Sequence, residues 1–267
     1  MKLNLTNKKV FITGASKGLG FEIAKAFVKE GSIVTMCARD RVALEKAKNS
    51  INNSDGQVFA HSMDATNYQA VSKGIEKAVD MMGSLDILIN NVGSTDKFAS
   101  FFDLEEEDWI HTYRTNVLSI VNTVKIANQF LAKSKNPRII NISSLTGLEP
   151  GRFSPHYSTS KAAVINLSKH LSNILVSDNI LVNCVVPGPF ESDAWNRNIQ
   201  RVANQKNISF LEAEKIENEL AISSIPLNRI GEPDDIVPLI LLLASNRSSW
   251  ITGSCFVIDG GKIKAMS

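Results

Sequence analysis

Seven short runs of β-branched and other apolar residues, at 10–13, 33–37, 58–61, 85–90, 138–143, 180–186 and 255–258, alternate along this chain with longer stretches of helical periodicity. Most of the runs are apolar at nearly every position, as expected of strands covered on both faces. The stretches between them place apolar residues three and four apart. One covers 21–30 and is closed by Gly31 as a C-cap; another carries Ala162, Ile165, Leu167, Leu171, Ile174 and Leu175. Sustained alternation of this kind predicts an α/β fold: a Rossmann-like, doubly wound, mostly parallel seven-stranded sheet with helices on both faces. No linker, repeat or low-complexity tract interrupts it, so residues 1–267 are expected to form a single domain.

Composition narrows the partners. With 29 basic against 27 acidic side chains, nothing points to nucleic acid or an anionic membrane. The longest apolar run, 239–244, is far short of the roughly 18–20 residues that span a bilayer, and the polar start lacks the apolar core of a signal peptide. Cys37, Cys184 and Cys255 form no CxxC and each sits in an apolar run, so buried thiols in a reducing, cytoplasmic compartment are expected. His61, His111, His156 and His170 lack metal-ligand spacing with one another or with a cysteine, and no metal is expected.

The first strand runs directly into Thr13-Gly14-Ala15-Ser16-Lys17-Gly18-Leu19-Gly20 and then into the first helix. Gly14, Gly18 and Gly20 are where such a turn needs a sharp bend, close approach of a diphosphate to the backbone, and tight helix–sheet packing. The helix amino end adds unpaired N–H groups and positive partial charge for phosphate. The alternative is a tight strand–helix turn with no ligand; its place after the first strand favours a dinucleotide. After the second strand, the position where an NAD site carries an acid is Ala38, followed by Arg39. Arg39 and Lys17, with the hydroxyl of Ser16 nearby, suit a 2′-phosphate and hence NADP(H). NAD(H) stays open if Asp40 points inward and the two cations are solvated.

From 192 to 225 no strand appears, but two helical patterns do, the second opened by a Ser209/Glu212 capping box. The excursion follows a strand's carboxyl end, so it reads as a substrate lid, or else as a surface helical hairpin. A further helix start lies at Gly231-Glu232-Pro233-Asp234-Asp235. Of the three tyrosines, only Tyr157 has a lysine four residues on, Lys161, on one helical face. A nearby ammonium pulls a phenol's pKa down and fits it for acid–base work. Ser144 brings a hydroxyl to the same sheet edge.

Taken together, these motifs resemble the short-chain dehydrogenase/reductase family, in its single-domain branch of roughly 250 residues. The resemblance covers nearly the whole chain. It implies that Asn116, Ser144, Tyr157 and Lys161 form a catalytic tetrad, with Asn116 holding a proton-relaying water. The turn supplying Gly14, Ser16, Lys17, Gly18, Leu19 and Gly20 looks like the family's cofactor turn. Asp64 and Ala65 resemble the adenine contact, and Asn91 and Gly93 the Asn-Asn-Ala-Gly segment, with Val92 for its alanine. Pro187, Gly188, Phe190 and Ser192 resemble the segment that holds the nicotinamide carboxamide. In the family an Ala-Arg pair after the second strand, with a basic residue before the second glycine, goes with NADP(H). The resemblance also implies hydride transfer to a ketone, with Tyr157 as proton donor, and a homotetramer packing the helices around Asn116 and Tyr157.

The substrate is less legible. Phe98, Phe153, Phe190 and Trp195 are expected to line an apolar pocket, and Arg152 is either an anion contact or a solvated charge. A small-molecule carbonyl or alcohol is expected, acted on by a carbonyl reductase. Alternatives are a 3-oxoacyl-carrier-protein reductase, a sugar or polyol dehydrogenase, and a non-catalytic cofactor-sensing protein.

Overall fold

The computed structural model describes residues 2–51 and 55–264. Its strands are β1 (Lys9–Thr13), β2 (Ile33–Ala38), β3 (Gln57–Ser62), β4 (Ile87–Asn90), β5 (Arg138–Ile142), β6 (Leu181–Pro187) and β7 (Cys255–Ile258). Helices α1 (Gly18–Lys29), α2 (Arg41–Ser50) and α3 (Tyr68–Met82) connect the first four strands. Helices α4 (Glu106–Tyr113) and α5 (Ser119–Leu131) lie between β4 and β5, and α6 (Pro155–Ile174) between β5 and β6. Helices α7 (Asp193–Lys206), α8 (Phe210–Ile222) and α9 (Pro233–Ala244) lie between β6 and β7.

The strand order is β3-β2-β1-β4-β5-β6-β7, and every pairing among the described residues is parallel, beyond the mostly parallel sheet that the sequence predicted. The chain winds outward from β1 to β3 and then restarts at β4 on the other side of β1. The order reverses there, and the carboxyl ends of β1 and β4 splay their connections apart into a crevice. The period-two alternation of strands feeds two apolar layers. Val10 and Ile12 of β1 pack with Ile23 and Phe27 of α1 and Ile240 of α9, whereas Phe11 packs with Ile75 of α3 and Val124 of α5.

The predicted helix signals are used. Ser209 and Glu212 form the capping box of α8; Glu232 and Asp235 form that of α9, with Pro233 in its first turn. Asp235 also receives both terminal nitrogens of Arg229 at 2.6 Å, which holds its carboxyl down at about 2. Helix α1 differs: no side chain caps its amino end and its first turn holds no acid. Cys37 and Cys184 are buried free thiols, but Cys255 is only partly covered, because β7 is an edge strand. No helix among the described residues is long and apolar enough to cross a membrane.

The excursion at 192–225 is a pair of helices with its own small core. Ile199, Val202 and Ala203 of α7 close on Ala213 of α8. Its base is pinned where Phe190 bridges Gly231, with Glu191 N donating to Gly231 O at 2.9 Å and Gly231 N to Pro189 O at 3.1 Å. Trp195, expected in the substrate pocket, instead packs against this helical core and donates its indole N–H to Asn218 Oδ1 at 3.0 Å.

Candidate active site

A cleft of about 680 Å³ lies at the carboxyl edge of the sheet. Gly14, Ser16, Lys17, Gly18 and Leu19 line it from the first turn; Arg39, Asp64 and Ala65 line it from the ends of β2 and β3. Asn91 and Gly93 enter after β4, Ser144 after β5, and Tyr157 and Lys161 from α6. Pro187, Gly188, Phe190 and Ser192 close it from the exit of β6. Two singled-out residues are not on its surface. Gly20 lies behind the turn, where a Cβ would fall on the Gly14 carbonyl oxygen and on Asn91 Nδ2. Asn116 is fully buried.

The turn is built to approach a ligand with its backbone. Gly14 and Gly18 have φ of +65° and +56°, a region that favours glycine, and at Gly18 there is open space where a Cβ would stand. Asn91 braces it from the neighbouring strand: its Nδ2 donates to Gly14 O at 3.0 Å and Thr13 O at 3.2 Å, and its N–H to Thr13 Oγ1 at 3.1 Å. The uncapped amino end of α1 opens beside Gly18 and Leu19, so the helix's first N–H groups are available to an anion. These residues fit the diphosphate of a dinucleotide.

The charges after the second strand bear on the two dinucleotide readings. Asp40 borders the cleft, but its Oδ1 accepts from Val42 N at 2.9 Å and Ala43 N at 3.0 Å as the N-cap of α2. That carboxylate is thereby engaged in ordering its own helix. Arg39 borders the cleft as well. Lys17 Nζ meets Asp193 Oδ2 at 3.5 Å, an exposed pair that adds little stability and can exchange partners. Asp64 Oδ1 accepts from Thr66 N and Oγ1, both at 2.8 Å, which fixes the carboxylate at the cleft wall.

At the other end, Ser154 and Pro155 start α6 and place Tyr157 and Lys161 one turn apart, facing the end of β5. The Ser144 side chain hydrogen-bonds to the Tyr157 phenol, and Thr146 N and Oγ1 donate to Ser144 Oγ at 3.3 and 3.1 Å. Lys161 is 3 % exposed; its Nζ donates to Ile142 O at 3.0 Å and lies 5.7 Å from the centre of the Tyr157 ring. Burial lowers Lys161 to about 8. It pushes the Tyr157 phenol upward, and the hydrogen bond from Ser144 acts the other way. The sequence expectation of a phenol drawn down by the ammonium is thus corrected for the protein alone. Lys161 directs its ammonium at a carbonyl, and burial disfavours the phenolate.

Asn116 sits in a π-helical turn, Arg114–Leu118, that joins α4 to α5. Its Oδ1 accepts from Ser94 N, and its Nδ2 donates to Ser94 O and Thr112 O, all at 3.0 Å. One amide hydrogen fixes the segment after β4 and the other the last turn of α4, so both are spent. Gly93 lies between this amide and the lysine: a Cβ there would stand 2.6 Å from Lys161 Nζ and 2.9 Å from Asn116 Oδ1.

Of the expected pocket aromatics, only Phe190 lines the cleft. Phe98 and Phe153 stack on each other, with ring centres 4.8 Å apart, and the Arg201 guanidinium lies over Phe98. Arg152 is exposed and does not line the cleft. Asp193 and Arg197 do line it, and sequence reasoning missed both. The signal was the helix start after Ser192, which puts 193 and 197 on one face.

The family model described as short chain dehydrogenase matches residues 8–203. The chain is 33 % identical over 258 residues to the 3-oxoacyl-acyl-carrier-protein reductase FabG of Chlamydia muridarum, covering 96 % of this chain and 98 % of that one. It is 30 % identical over 262 residues to the L-rhamnose 1-dehydrogenase (NAD(P)(+)) of Azotobacter vinelandii, covering 96 % and 97 %. Among solved structures, L-sorbose reductase from Gluconobacter frateurii complexed with NADPH and L-sorbose superposes with a TM-score of 0.93, at 26 % identity and full coverage of both chains.

Proposed function

The chain belongs to the short-chain dehydrogenase family of oxidoreductases, and on that premise we propose that it is an NADP(H)-dependent reductase of ketones, working through Tyr157 as general acid and base. The observation that carries this is the convergence of Ser144, Tyr157 and Lys161 on the same cleft as the uncapped α1 and the Arg39 side chain. When bound, the cofactor supplies a hydride to a carbonyl carbon, or accepts one from a secondary alcohol. Gly14, Ser16, Gly18 and Leu19 hold its diphosphate, with Asn91 and the packed Gly20 keeping the turn in shape. Lys17 and Arg39 hold the 2′-phosphate. Asp64 and Ala65 contact the adenine, and Pro187, Gly188, Phe190 and Ser192 the carboxamide.

Tyr157 gives its proton to the carbonyl oxygen, and Ser144 donates a hydrogen bond to the same oxygen and polarises it. Lys161, lowered to about 8, exchanges a proton near neutral pH and recharges the tyrosine. Asn116 positions Ser94 and the adjoining Gly93; the single oxygen lone pair it keeps is where a relaying water would donate. Helices α7 and α8 act as the lid. A homotetramer and a reducing, cytoplasmic setting complete the proposal; light scattering is expected to give four chains per particle.

The FabG relative favours a second reading, reduction of a 3-oxoacyl thioester. Paired NADPH and NADH kinetics over ketones, 3-oxoacyl thioesters and sugars test both. The expected result is a kcat/KM at least about 10-fold higher with NADPH, since charge-assisted contacts to the 2′-phosphate are each worth about 1.5–3 kcal/mol. Arg39→Ala is expected to remove most of that preference. A wild-type preference for NADH overturns the assignment of Arg39 and Lys17.

A further inference from the structure

We propose that the substrate carries an oxyanion, a carboxylate in the simplest case, and that Arg197 of the lid helix α7 receives it. The inference rests on the cleft being a carbonyl-reducing site, and names what that site selects.

Positions 193, 197 and 201 fall at i, i+4 and i+8 of α7 and so form one stripe. The stripe is fastened at both ends, to different segments of the chain. Asp193 Oδ2 meets Lys17 Nζ of the glycine turn at 3.5 Å. Arg201 places its guanidinium 3.8 Å from the centre of the Phe98 ring, and Phe98 is itself stacked on Phe153. Arg197 stands between these two anchors, about 6 Å along the axis from each. It lines the same cleft as Ser94, Ser144 and Tyr157.

No hydrogen bond or ion pair of the Arg197 side chain occurs among the described residues. Its helix neighbour at i−4, Asp193, is taken by Lys17, and its neighbour at i+4 is another cation. Asp96, the acid on the cleft's substrate side, is held by His111 Nε2 at 2.9 Å. The lid therefore presents an exposed, unpaired guanidinium fork at the wall of the cleft that holds Ser144 and Tyr157, a shape that pairs with a carboxylate through two parallel hydrogen bonds. The cofactor's phosphates have other receivers, the uncapped α1 at the diphosphate and Lys17 with Arg39 at the 2′-phosphate. A guanidinium one turn beyond the Lys17 contact, toward Phe98, is left for the substrate.

The probe is a series of keto acids, with one to six carbons between carbonyl and carboxyl, each paired with its methyl ester, at saturating NADPH. For the best-fitting length, wild-type kcat/KM is expected to favour the acid over its ester by about 10- to 100-fold. In Arg197→Gln that ratio is expected to collapse toward one, and Arg197→Lys to restore part of it. An acid-to-ester ratio near one at every length in the wild type overturns the proposal. So does loss of acid and ester in equal proportion, or a matching loss of NADPH affinity, which would place the guanidinium on the cofactor. If neither acids nor esters are reduced, the reductase reading is judged on the panel of other ketones, thioesters and sugars. The anion site is then decided by calorimetry of the keto acids on the NADPH-loaded protein. Binding that Arg197→Gln abolishes upholds the site; binding that is absent, or equal in both proteins, overturns it.

Discussion

Replacing Tyr157 by phenylalanine is expected to lower carbonyl reduction by about a thousandfold or more, while NADPH still binds within about twofold of the wild type. The substitution removes one oxygen and keeps the ring. The ring's place beside Lys161, 5.7 Å from the ammonium, is preserved, and the cofactor turn lies elsewhere in the cleft. What is lost is the proton for the carbonyl oxygen and the partner of Ser144. Ser144 cannot substitute, since an alkyl hydroxyl is a much weaker acid than a phenol. Steady-state turnover together with a fluorescence titration of NADPH separates chemistry from binding. A variant that turns over at a substantial fraction of the wild-type rate removes Tyr157 from the reaction.

Lys161→Met is expected to abolish turnover and, at neutral pH, to make the protein more stable. Lys161 is 3 % exposed, and burial lowers it from 10.5 to about 8. Below about pH 8 the lysine is charged in both folded and unfolded chains, and the folded state bears the full desolvation cost. Between about 8 and 10.5 the unfolded chain keeps the proton while the folded one releases it, so wild-type stability rises with pH and the cost fades. A shift of this size corresponds to roughly 3 kcal/mol, from which the lost hydrogen bond to Ile142 O subtracts about 1. Urea unfolding is therefore expected to give the methionine variant an advantage of about 2 kcal/mol at pH 7 that shrinks by pH 10. A variant less stable at pH 7, or an advantage independent of pH, contradicts the charged burial of Lys161. On the proposed mechanism, the position is one where stability is given up for chemistry.

The sheet was legible because its strands are apolar on both faces, and each of the seven runs became a strand in a parallel sheet. Gly14 and Gly18 were legible because few other residues adopt their backbone angles. The capping boxes of α8 and α9 were legible because they are local hydrogen-bond patterns fixed by short spacings. Side-chain direction was less legible. Trp195 sits in α7, whose own core faces α8, and an apolar pattern does not say which of two cores a residue joins. Phe98 and Phe153 satisfy one another away from the cleft lining, a pairing of residues 55 positions apart that no local pattern encodes. The π turn around Asn116 carries no composition signal, because one extra residue in a helix changes hydrogen bonding rather than hydrophobic content. Whether Asp40 points inward was open in the sequence, and its role as the cap of α2 was missed, because the two bonds to the first turn of α2 show only in the fold.

The proposed reaction is hydride transfer between NADP(H) and a carbonyl carbon, with Tyr157 moving the proton. It is tested most directly with NADPH deuterated at the transferable position of the nicotinamide ring, incubated with a reducible ketone, and mass analysis of the alcohol formed. The expected result is one deuterium on the carbinol carbon for each NADPH oxidised, and none above background with Tyr157→Phe. Alcohol formed without deuterium from either face of the ring, or labelled alcohol made as fast by Tyr157→Phe as by the wild type, would contradict it.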